Sequence, residues 1–189
     1  MHPALKSLAA VIGGIAGGLA LTWASVFAMH FGTVRDGPWE TSLAVGSASG
    51  GPYLRAWVAV HGLLALNRSE TIYYNASRDS GGERLSGRCV YSLMGRDPKA
   101  RWWSITAYGP DDFLIAGPAR RYSVSKTSIL RRGEGNFIAT VSRDKPGADW
   151  IAVGDGPFSL TLRLYEPDAG VAADPAHAEL PQIVKERCR

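Results

Sequence analysis

The hydrophobic pattern of the chain begins with one long apolar run near the N-terminus. No charged residue lies between Leu8 and Met29, and as a helix these 22 positions would span the hydrocarbon core of a bilayer, about 30 Å thick. Trp23 and Phe27 lie toward the far end, where aromatic side chains favour the membrane interface. The pattern therefore predicts a transmembrane anchor over residues 1–31.

A cleavable signal peptide is the alternative interpretation of the same segment. Lys6 would form its positive region, and Val26-Phe27-Ala28 would form its cleavage tripeptide. The apolar run is longer than the roughly 7–15 residues that signal peptides use, and this length favours the uncleaved anchor. In both cases the rest of the chain is exported from the cytoplasm.

Two overlapping GxxxG spacings occur inside the run, at Gly13, Gly14, Gly17 and Gly18. Small residues let two membrane helices approach closely, so this face could hold a homodimer together. Glycine is also frequent in membrane helices in general, so the spacing alone leaves the dimer as a hypothesis.

The segment after the anchor predicts a linker and then one amphipathic helix. Residues 32–51 are rich in Gly and Ser and favour an irregular linker. Pro52 suits the first turn of a helix because its missing N–H needs no partner there, and Asn67 ends the helix. The apolar stripe of this helix has 3- and 4-residue spacings, at Leu54, Trp57, Val58, His61, Leu64 and Ala65.

After Asn67 the apolar period changes to two, which is typical of β-strands. The clearest strand is Phe158–Tyr165, in which apolar residues alternate with Ser159, Thr161 and Arg163. Shorter alternating runs are Ile72/Tyr74/Ala76, Cys89/Tyr91/Leu93, Trp102/Ser104/Thr106/Tyr108 and Phe137/Ala139/Val141. Clusters of turn-forming residues separate these runs. We therefore predict an all-β domain over residues 52–189, an antiparallel β-sandwich or jelly-roll-like body with one helix.

Composition and charge exclude several classes of protein. With 46% hydrophobic and 20% charged residues, the chain is neither disordered nor fibrous. Its net charge is +4, and its 16 arginines and 5 lysines are scattered, so no nucleic-acid-binding face is expected. The four histidines, at positions 2, 30, 61 and 177, are too dispersed to predict a metal site, and no cofactor is expected.

The two cysteines predict a disulfide. An even pair in an exported domain suggests a bridge between Cys89 and Cys188. The bridge would close a loop of 99 residues, worth up to about 4.7 kcal/mol in the chain-entropy model. The alternative is two unrelated thiols, one of them buried in a core strand.

Aromatic residues and arginines concentrate in the middle of the chain and suggest a binding surface. Exposed Trp or Tyr beside Arg suits glycans, lipid headgroups or a protein partner. In the alternative interpretation, Trp102 and Tyr108 belong to the core and the arginines form a solvated face. The candidate binding residues are Arg101, Trp103, Tyr108, Asp112, Arg121 and Tyr122.

Three motifs in this order resemble the bacterial domain of unknown function 1214 (DUF1214), over roughly residues 52–189. They are Trp102-Trp103-Ser-Ile-Thr-Ala-Tyr108, Arg121-Tyr122-Ser-Val124 and Gly156-Pro-Phe-Ser-Leu-Thr-Leu-Arg-Leu-Tyr-Glu-Pro167. The resemblance implies a jelly-roll-like β-sandwich and brings no established activity. The chain departs from the family at Ala116-Gly117, where Pro-Asn is usual, and at Asp149, where Asn is usual.

Together these observations predict a single-pass protein of the bacterial inner membrane with its C-terminal domain in the periplasm. The function that they favour is a non-catalytic envelope module that binds a glycan, a lipid or a protein, and no catalytic residue is assigned. The alternative is a hydrolase that uses Asp112 or Asp149 together with an arginine.

Overall fold

The computed structural model describes residues 3–27, 32–47, 51–60, 66–115, 121–144 and 147–189. The helices are α1 (Pro3–Phe27), α2 (Pro52–Val60) and α3 (Ala169–Ala173), and short 3-10 turns cover Gly133–Gly135 and Pro175–His177. The strands are β1 (Thr33–Asp36), β2 (Trp39–Ser42), β3 (Thr71–Ala76), β4 (Cys89–Arg96), β5 (Ala100–Tyr108), β6 (Ser123–Ser125), β7 (Asn136–Ser142), β8 (Trp150–Ala152), β9 (Ser159–Pro167) and β10 (Gln182–Cys188).

The predicted N-terminal apolar helix is present as α1. Among the described residues it is the helix that is long and apolar enough to cross a membrane, over Lys6–Phe27, and a signal sequence would meet the same criteria. Its large side chains, such as Ile15 and Leu19, are exposed, whereas Val26 near its C-terminal end is buried. Ala28 of the alternative cleavage tripeptide lies outside the described residues.

The first part of residues 32–51 forms a β-hairpin instead of the predicted irregular linker. Strands β1 and β2 pair antiparallel around Gly37, whose φ of +57° is a conformation that glycine adopts without steric cost. Trp39 of β2 is fully buried, and its Nε1 donates a hydrogen bond to the Pro181 carbonyl at 2.7 Å. Burial of this side chain outweighs the loop-like composition of the segment, so the sheet begins at Thr33.

The amphipathic helix begins at Pro52, as the sequence predicts. Leu54 is buried and Trp57 is half-buried, which agrees with the predicted apolar stripe. The described helix ends at Val60, and the rest of the predicted stripe, at His61, Leu64 and Ala65, lies outside the described residues.

The predicted β-rich body is confirmed and consists of two sheets. The six-stranded sheet has the order β1-β2-β3-β9-β5-β6 and is antiparallel throughout. The four-stranded sheet has the order β10-β4-β7-β8, and here β8 pairs with β7 in parallel, unlike the predicted antiparallel arrangement. The sandwich and jelly-roll connectivity stays a prediction.

The core lies between the inner faces of the two sheets. Trp103 of β5 stacks on Phe137 of β7 with ring centroids 4.9 Å apart. Tyr91 of β4 meets Phe158 edge-on at 5.8 Å. Leu160, Leu162 and Leu164 of β9 are fully buried, as the alternation in this segment predicts. These contacts between strands of different sheets build one continuous hydrophobic cluster.

The C-terminal strand joins the body through the predicted disulfide. Strand β10 pairs antiparallel with β4, so that Cys188 lies directly opposite Cys89. The two Sγ atoms are bonded, and the Cα atoms are 3.9 Å apart. Ile183 of β10 is fully buried, and its N–H and C=O both bond to Ser80. The bridge and the pairing of the tail beside the strand of Cys89 are therefore confirmed.

Candidate functional site

A cleft of about 290 Å³ lies where the end of α1, helix α2 and strands β1–β3 meet. Its apolar lining consists of Phe27, Val45, Leu54, Trp57, Leu66, Ile72 and Pro175. Its polar lining consists of Thr33, Glu40, Thr41, Ser42, Arg68, Thr71, Tyr73 and Asn75. Most of the polar strand residues alternate with core residues, so the floor of the cleft is the outer face of the six-stranded sheet.

The floor contains a hydroxyl that the protein does not satisfy. Thr71 is 3% exposed, and among the described residues its Oγ1 is the buried side-chain oxygen that lacks a hydrogen-bond partner. A buried polar group without a partner costs about 1–3 kcal/mol. A ligand that offered Thr71 a donor or an acceptor would recover part of this cost.

Two neighbouring tyrosines of β3, Tyr73 on the cleft floor and Tyr74 on the core side, keep their phenol protons at physiological pH. Burial raises the pKa of Tyr73, the nearby Tyr165 raises it further, and Arg163 opposes the shift. Burial also raises the pKa of Tyr74, which faces the core and donates to the Pro175 carbonyl at 2.9 Å. Since both pKa values lie above 10, neither phenol adds negative charge to the cleft.

Charged groups at the rim are held by neighbouring residues. Glu40 forms an ion pair with Arg35 across the hairpin at 2.6 Å; the Arg35 side chain is largely exposed and Glu40 is half-buried. Arg68 donates to the Leu43 carbonyl. The contact of Arg68 holds the loop after β2, which closes one side of the cleft. With these charged groups paired at the rim, the interior of the cleft is mainly apolar and hydroxylic.

The polar outer face of the sheet continues beyond the cleft toward β5. Arg163 of β9 donates to the Tyr108 hydroxyl at 2.7 Å, and its Cζ lies 5.8 Å from the Tyr73 ring centroid and 5.4 Å from that of Tyr108. Trp102 packs on Tyr165 with ring centroids 5.3 Å apart. An aromatic and arginine surface therefore exists, as the sequence suggests.

The six candidate binding residues do not form one site. Arg101 is exposed and pairs with Glu166 at 2.7 Å, whereas Tyr108 lies at the other end of β5, roughly 23 Å away at the usual strand rise. Trp103 is fully buried, and its Nε1 donates to Asp97 at 3.0 Å, so a ligand has no access to its ring. Arg121 is exposed and donates to the Ala148 carbonyl.

The other two candidates lie near Tyr108. Tyr122 is half-buried, and its carbonyl accepts from the Ala107 N–H at 3.0 Å. Asp112 is exposed in the tight turn after β5, where its φ is +60°. This turn agrees with the turn that the sequence predicts. Asp149 accepts from the Leu130 N–H, at 3.2 Å through Oδ2, and thereby fixes a loop.

None of the residues that line the cleft is among the candidate binding residues predicted from the sequence. Thr71 and Tyr73 of β3, with Arg163 and Tyr165 of β9, occupy the outward positions of strands whose inward positions were recognised. The period-two alternation of β3 and β9 could have identified these outward residues, because residues between buried ones must face the other way.

No group of three or more His, Cys, Asp or Glu in the described ranges is arranged to hold a metal ion. The donor set of the cleft, with one carboxylate, one guanidinium and several hydroxyls, is instead that of a site for an organic molecule with few polar groups.

Comparison with known proteins gives a family and a fold. The model of the family described as "Protein of unknown function (DUF1214)" matches residues 70–169, just over half of the chain and all three quoted motifs. No curated protein matches the chain.

The chain is also similar to two solved structures. The crystal structure of the VPA0106 protein from Vibrio parahaemolyticus has a TM-score of 0.64 at 20% identity, covering 99% of this chain and 46% of that one. An uncharacterized protein from Burkholderia cenocepacia has a TM-score of 0.47 at 14% identity, covering 90% of this chain and 41% of that one. The chain thus spans about half the length of these proteins, and the likeness to the first concerns the fold alone.

Proposed function

The chain belongs to the DUF1214 family, whose description names no activity, and we propose from the cleft that it is a membrane-anchored module that binds a lipid-like amphiphile. In this proposal α1 holds the protein in the bacterial inner membrane. The β domain, a jelly-roll-like sandwich, lies in the periplasm and acts by binding rather than by catalysis. The main support for this proposal is a cleft at the end of the membrane-length helix that combines apolar side chains with a hydroxylic floor.

The lining favours an amphiphile among the ligand classes that the sequence leaves open. Phe27, Leu54 and Trp57 provide an apolar surface for a hydrocarbon chain, whose burial is worth about 0.8 kcal/mol per methylene group. Thr71 and Tyr73 provide hydrogen-bonding groups on the opposite side. A volume of about 290 Å³ is at the lower end for small-molecule sites, so it suits a single chain better than a folded partner.

The position of the cleft supports a membrane-derived ligand. Phe27, the last residue of α1, lines the cleft directly, so a lipid leaving the bilayer would meet the cleft at the end of the anchor. The Cys89–Cys188 disulfide is consistent with an exported domain.

The hydrolase alternative has no comparable support. Neither Asp112 nor Asp149 lines the cleft. Asp149 serves as an acceptor for a loop amide, and Asp112 lies in an exposed turn. Glu40, the carboxylate that does line the cleft, is paired with Arg35.

Photolabelling in the membrane tests the proposed ligand. Cells that express the full chain would be given a fatty acid with a diazirine at the end of its chain, and labelled peptides would be mapped by mass spectrometry. We expect label on residues 66–75 and 51–60 in addition to α1. Val45→Trp should reduce the label in these two segments to background, because the indole would fill the cleft that Val45 lines.

Leu43→Trp is the matched control for this experiment. Leu43 lies two residues away, is 38% exposed and does not line the cleft, so this variant should be labelled like the wild type. Label restricted to α1, or equal label in both variants, would show that the cleft does not take a lipid chain.

Carbonate extraction tests the anchor separately. We expect the full chain to stay in the membrane pellet with an intact N-terminus, because the uncharged stretch of α1 matches the thickness of the bilayer core. Mass spectrometry of the extracted protein gives the N-terminal peptide. A soluble form that begins at Met29 would mean that the segment is a signal peptide.

A homodimer through α1 remains part of the proposal. A Cβ atom added at Gly13, Gly14, Gly17 or Gly18 would meet no atom within 4 Å, so in one copy this face of the helix has room for a partner. A second copy of α1 would pack there through close backbone contact.

A further inference from the structure

A second cavity, of about 280 Å³, lies beside the disulfide and is lined by four arginines. Arg88 precedes β4, Arg143 follows β7, and Arg187 and Arg189 lie at the end of β10. We propose that this arginine cavity binds a soluble phosphate-type oxyanion. This site is distinct from the cleft, and none of its lining residues is shared with the cleft.

The strand register places three of the arginines on one side of the sheet. Arg187 pairs with Val90 and Cys188 with Cys89, and the Arg189 N–H donates to the Arg88 carbonyl at 3.0 Å. Because side chains alternate, Arg88, Arg187 and Arg189 share a face. Like charges directly opposite each other on neighbouring strands destabilise a sheet. The arginines at this end of β4 and β10 therefore lower the stability of the fold when no anion is bound.

The protein neutralises this charge only in part. Arg143 binds both carboxylate oxygens of Asp155, at 2.8 and 3.0 Å, and Arg189 pairs with Asp144. Within the described ranges, Arg88 and Arg187 have neither an ion pair nor a side-chain hydrogen bond. Two of the four guanidinium groups that line the cavity are thus paired with carboxylates and two are available to an anion.

The chemistry of the cavity favours phosphate over other anions. The guanidinium group has a planar fork of donors that bonds phosphate oxygens in pairs, and several forks can surround one tetrahedral group. Asp155 and Asp144 fix the side chains of Arg143 and Arg189 before a ligand arrives, which lowers the entropy cost of binding.

The position of the cavity indicates a soluble source for the anion. The Gly87 N–H bonds to the Gly156 carbonyl just before β9, whereas Thr71 of the cleft pairs with Tyr165 near the end of β9. Asn75, which also lines the cleft, pairs with Thr161, so the cleft extends from roughly 17 Å to roughly 30 Å away from Gly156 along this strand. If α1 anchors the chain as proposed, the arginine cavity lies farther from the membrane than the cleft does, so a free phosphate or phosphate ester reaches it more readily than a lipid headgroup.

Thermal unfolding of the detergent-solubilised full chain tests the proposal with inorganic pyrophosphate and inorganic phosphate as probes. At equal ionic strength, we expect both to raise the melting temperature above that in sodium chloride or sodium acetate. The rise should be about 3 °C at ten times the dissociation constant. In Arg88→Gln/Arg187→Gln the rise should disappear, while the melting temperature without oxyanion stays at or above that of the wild type, since repulsion is relieved.

Arg96→Gln/Arg132→Gln is the control with the same change in net charge. Both residues are exposed, and Arg96 lies at the end of β4 opposite to Arg88, so this variant should keep the full response. An equal loss in the control variant, an equal rise in acetate, or no rise in the wild type would overturn the proposal.

Proteoliposomes distinguish the soluble source from a lipid source. The full chain in phosphatidylcholine vesicles would be mixed with labelled phosphatidylglycerol vesicles and sedimented. We expect no bridging of the two vesicle populations beyond that of the double variant. Bridging that requires Arg88 and Arg187, without a pyrophosphate response, would overturn the assignment of a soluble anion. Because neither experiment involves the cleft, the outcome is independent of the fatty-acid labelling.

Discussion

Replacing Trp103 with alanine should lower the free energy of unfolding by about 3–5 kcal/mol, the range for large aromatic residues in a core. The side chain is fully buried and stacks on Phe137 of the other sheet at 4.9 Å. Its Nε1 also donates to Asp97, which accepts two hydrogen bonds from Arg131. Truncation would therefore open a cavity between the sheets and remove one hydrogen-bond donor from the half-buried carboxylate of Asp97.

Trp102→Ala is the matched control, because it removes the same side chain from the next position of the same strand. Trp102 is half-buried on the outer face and packs on Tyr165. Loss of the Trp102 side chain should lower the free energy of unfolding by about 1 kcal/mol, the scale of one aromatic pair. Urea denaturation of the solubilised full chain, monitored by the fluorescence of the remaining tryptophans, would measure the free energy of unfolding of both variants. Equal losses would mean that Trp103 does not join the two sheets.

Removing the disulfide should have the second large effect. Cys89→Ser/Cys188→Ser should lower the free energy of unfolding by about 2–4 kcal/mol, because the bridge closes a loop of 99 residues and restricts the unfolded chain. Strand β10 should lose protection first, since Gln182 and the residues after Val184 are at least partly exposed. Hydrogen exchange of the β10 amides, together with urea denaturation, would measure the local and the global effects.

A reductant provides the control for this prediction. Dithiothreitol should lower the denaturation midpoint of the wild type toward that of the double variant and should leave the double variant unchanged. If the wild type had the same midpoint with and without reductant, the bridge would contribute nothing to stability, and the pairing of β10 with β4 alone would hold the tail.

The alternation of apolar residues determined five of the ten described strands, namely β3, β4, β5, β7 and β9. In Phe158–Tyr165 the inward positions are all leucine or phenylalanine, so the pattern identified both the strand and its buried face. The cysteine pairing could also be predicted, because two cysteines allow a single intramolecular pair. The helix α1 was equally clear, because its uncharged apolar run is long enough to form a helix of membrane-spanning length.

In β5, alternation separates neighbours without saying which face is buried. Trp102 and Trp103 are equally suited to a core, and the sequence offered Trp103 as a binding residue. Pairing with β9 determines which tryptophan is buried, because Trp103 lies opposite the buried Leu164 and Trp102 lies opposite Tyr165. A one-residue shift in register would have exchanged the two faces.

The candidate sites required the tertiary structure, because each joins segments that are distant along the chain. The order β2-β3-β9 brings Glu40, Tyr73 and Arg163 onto one face, and β10 brings Arg187 beside Arg88. Local pattern gives the period of a strand, and its buried side where only one set of alternating positions is apolar, whereas the order of strands depends on which faces fit across the core. The sequence by itself thus determined the N-terminal apolar helix, five core strands and the disulfide. Only the packing of the two sheets decided which outward residues meet to form the cleft and the arginine cavity.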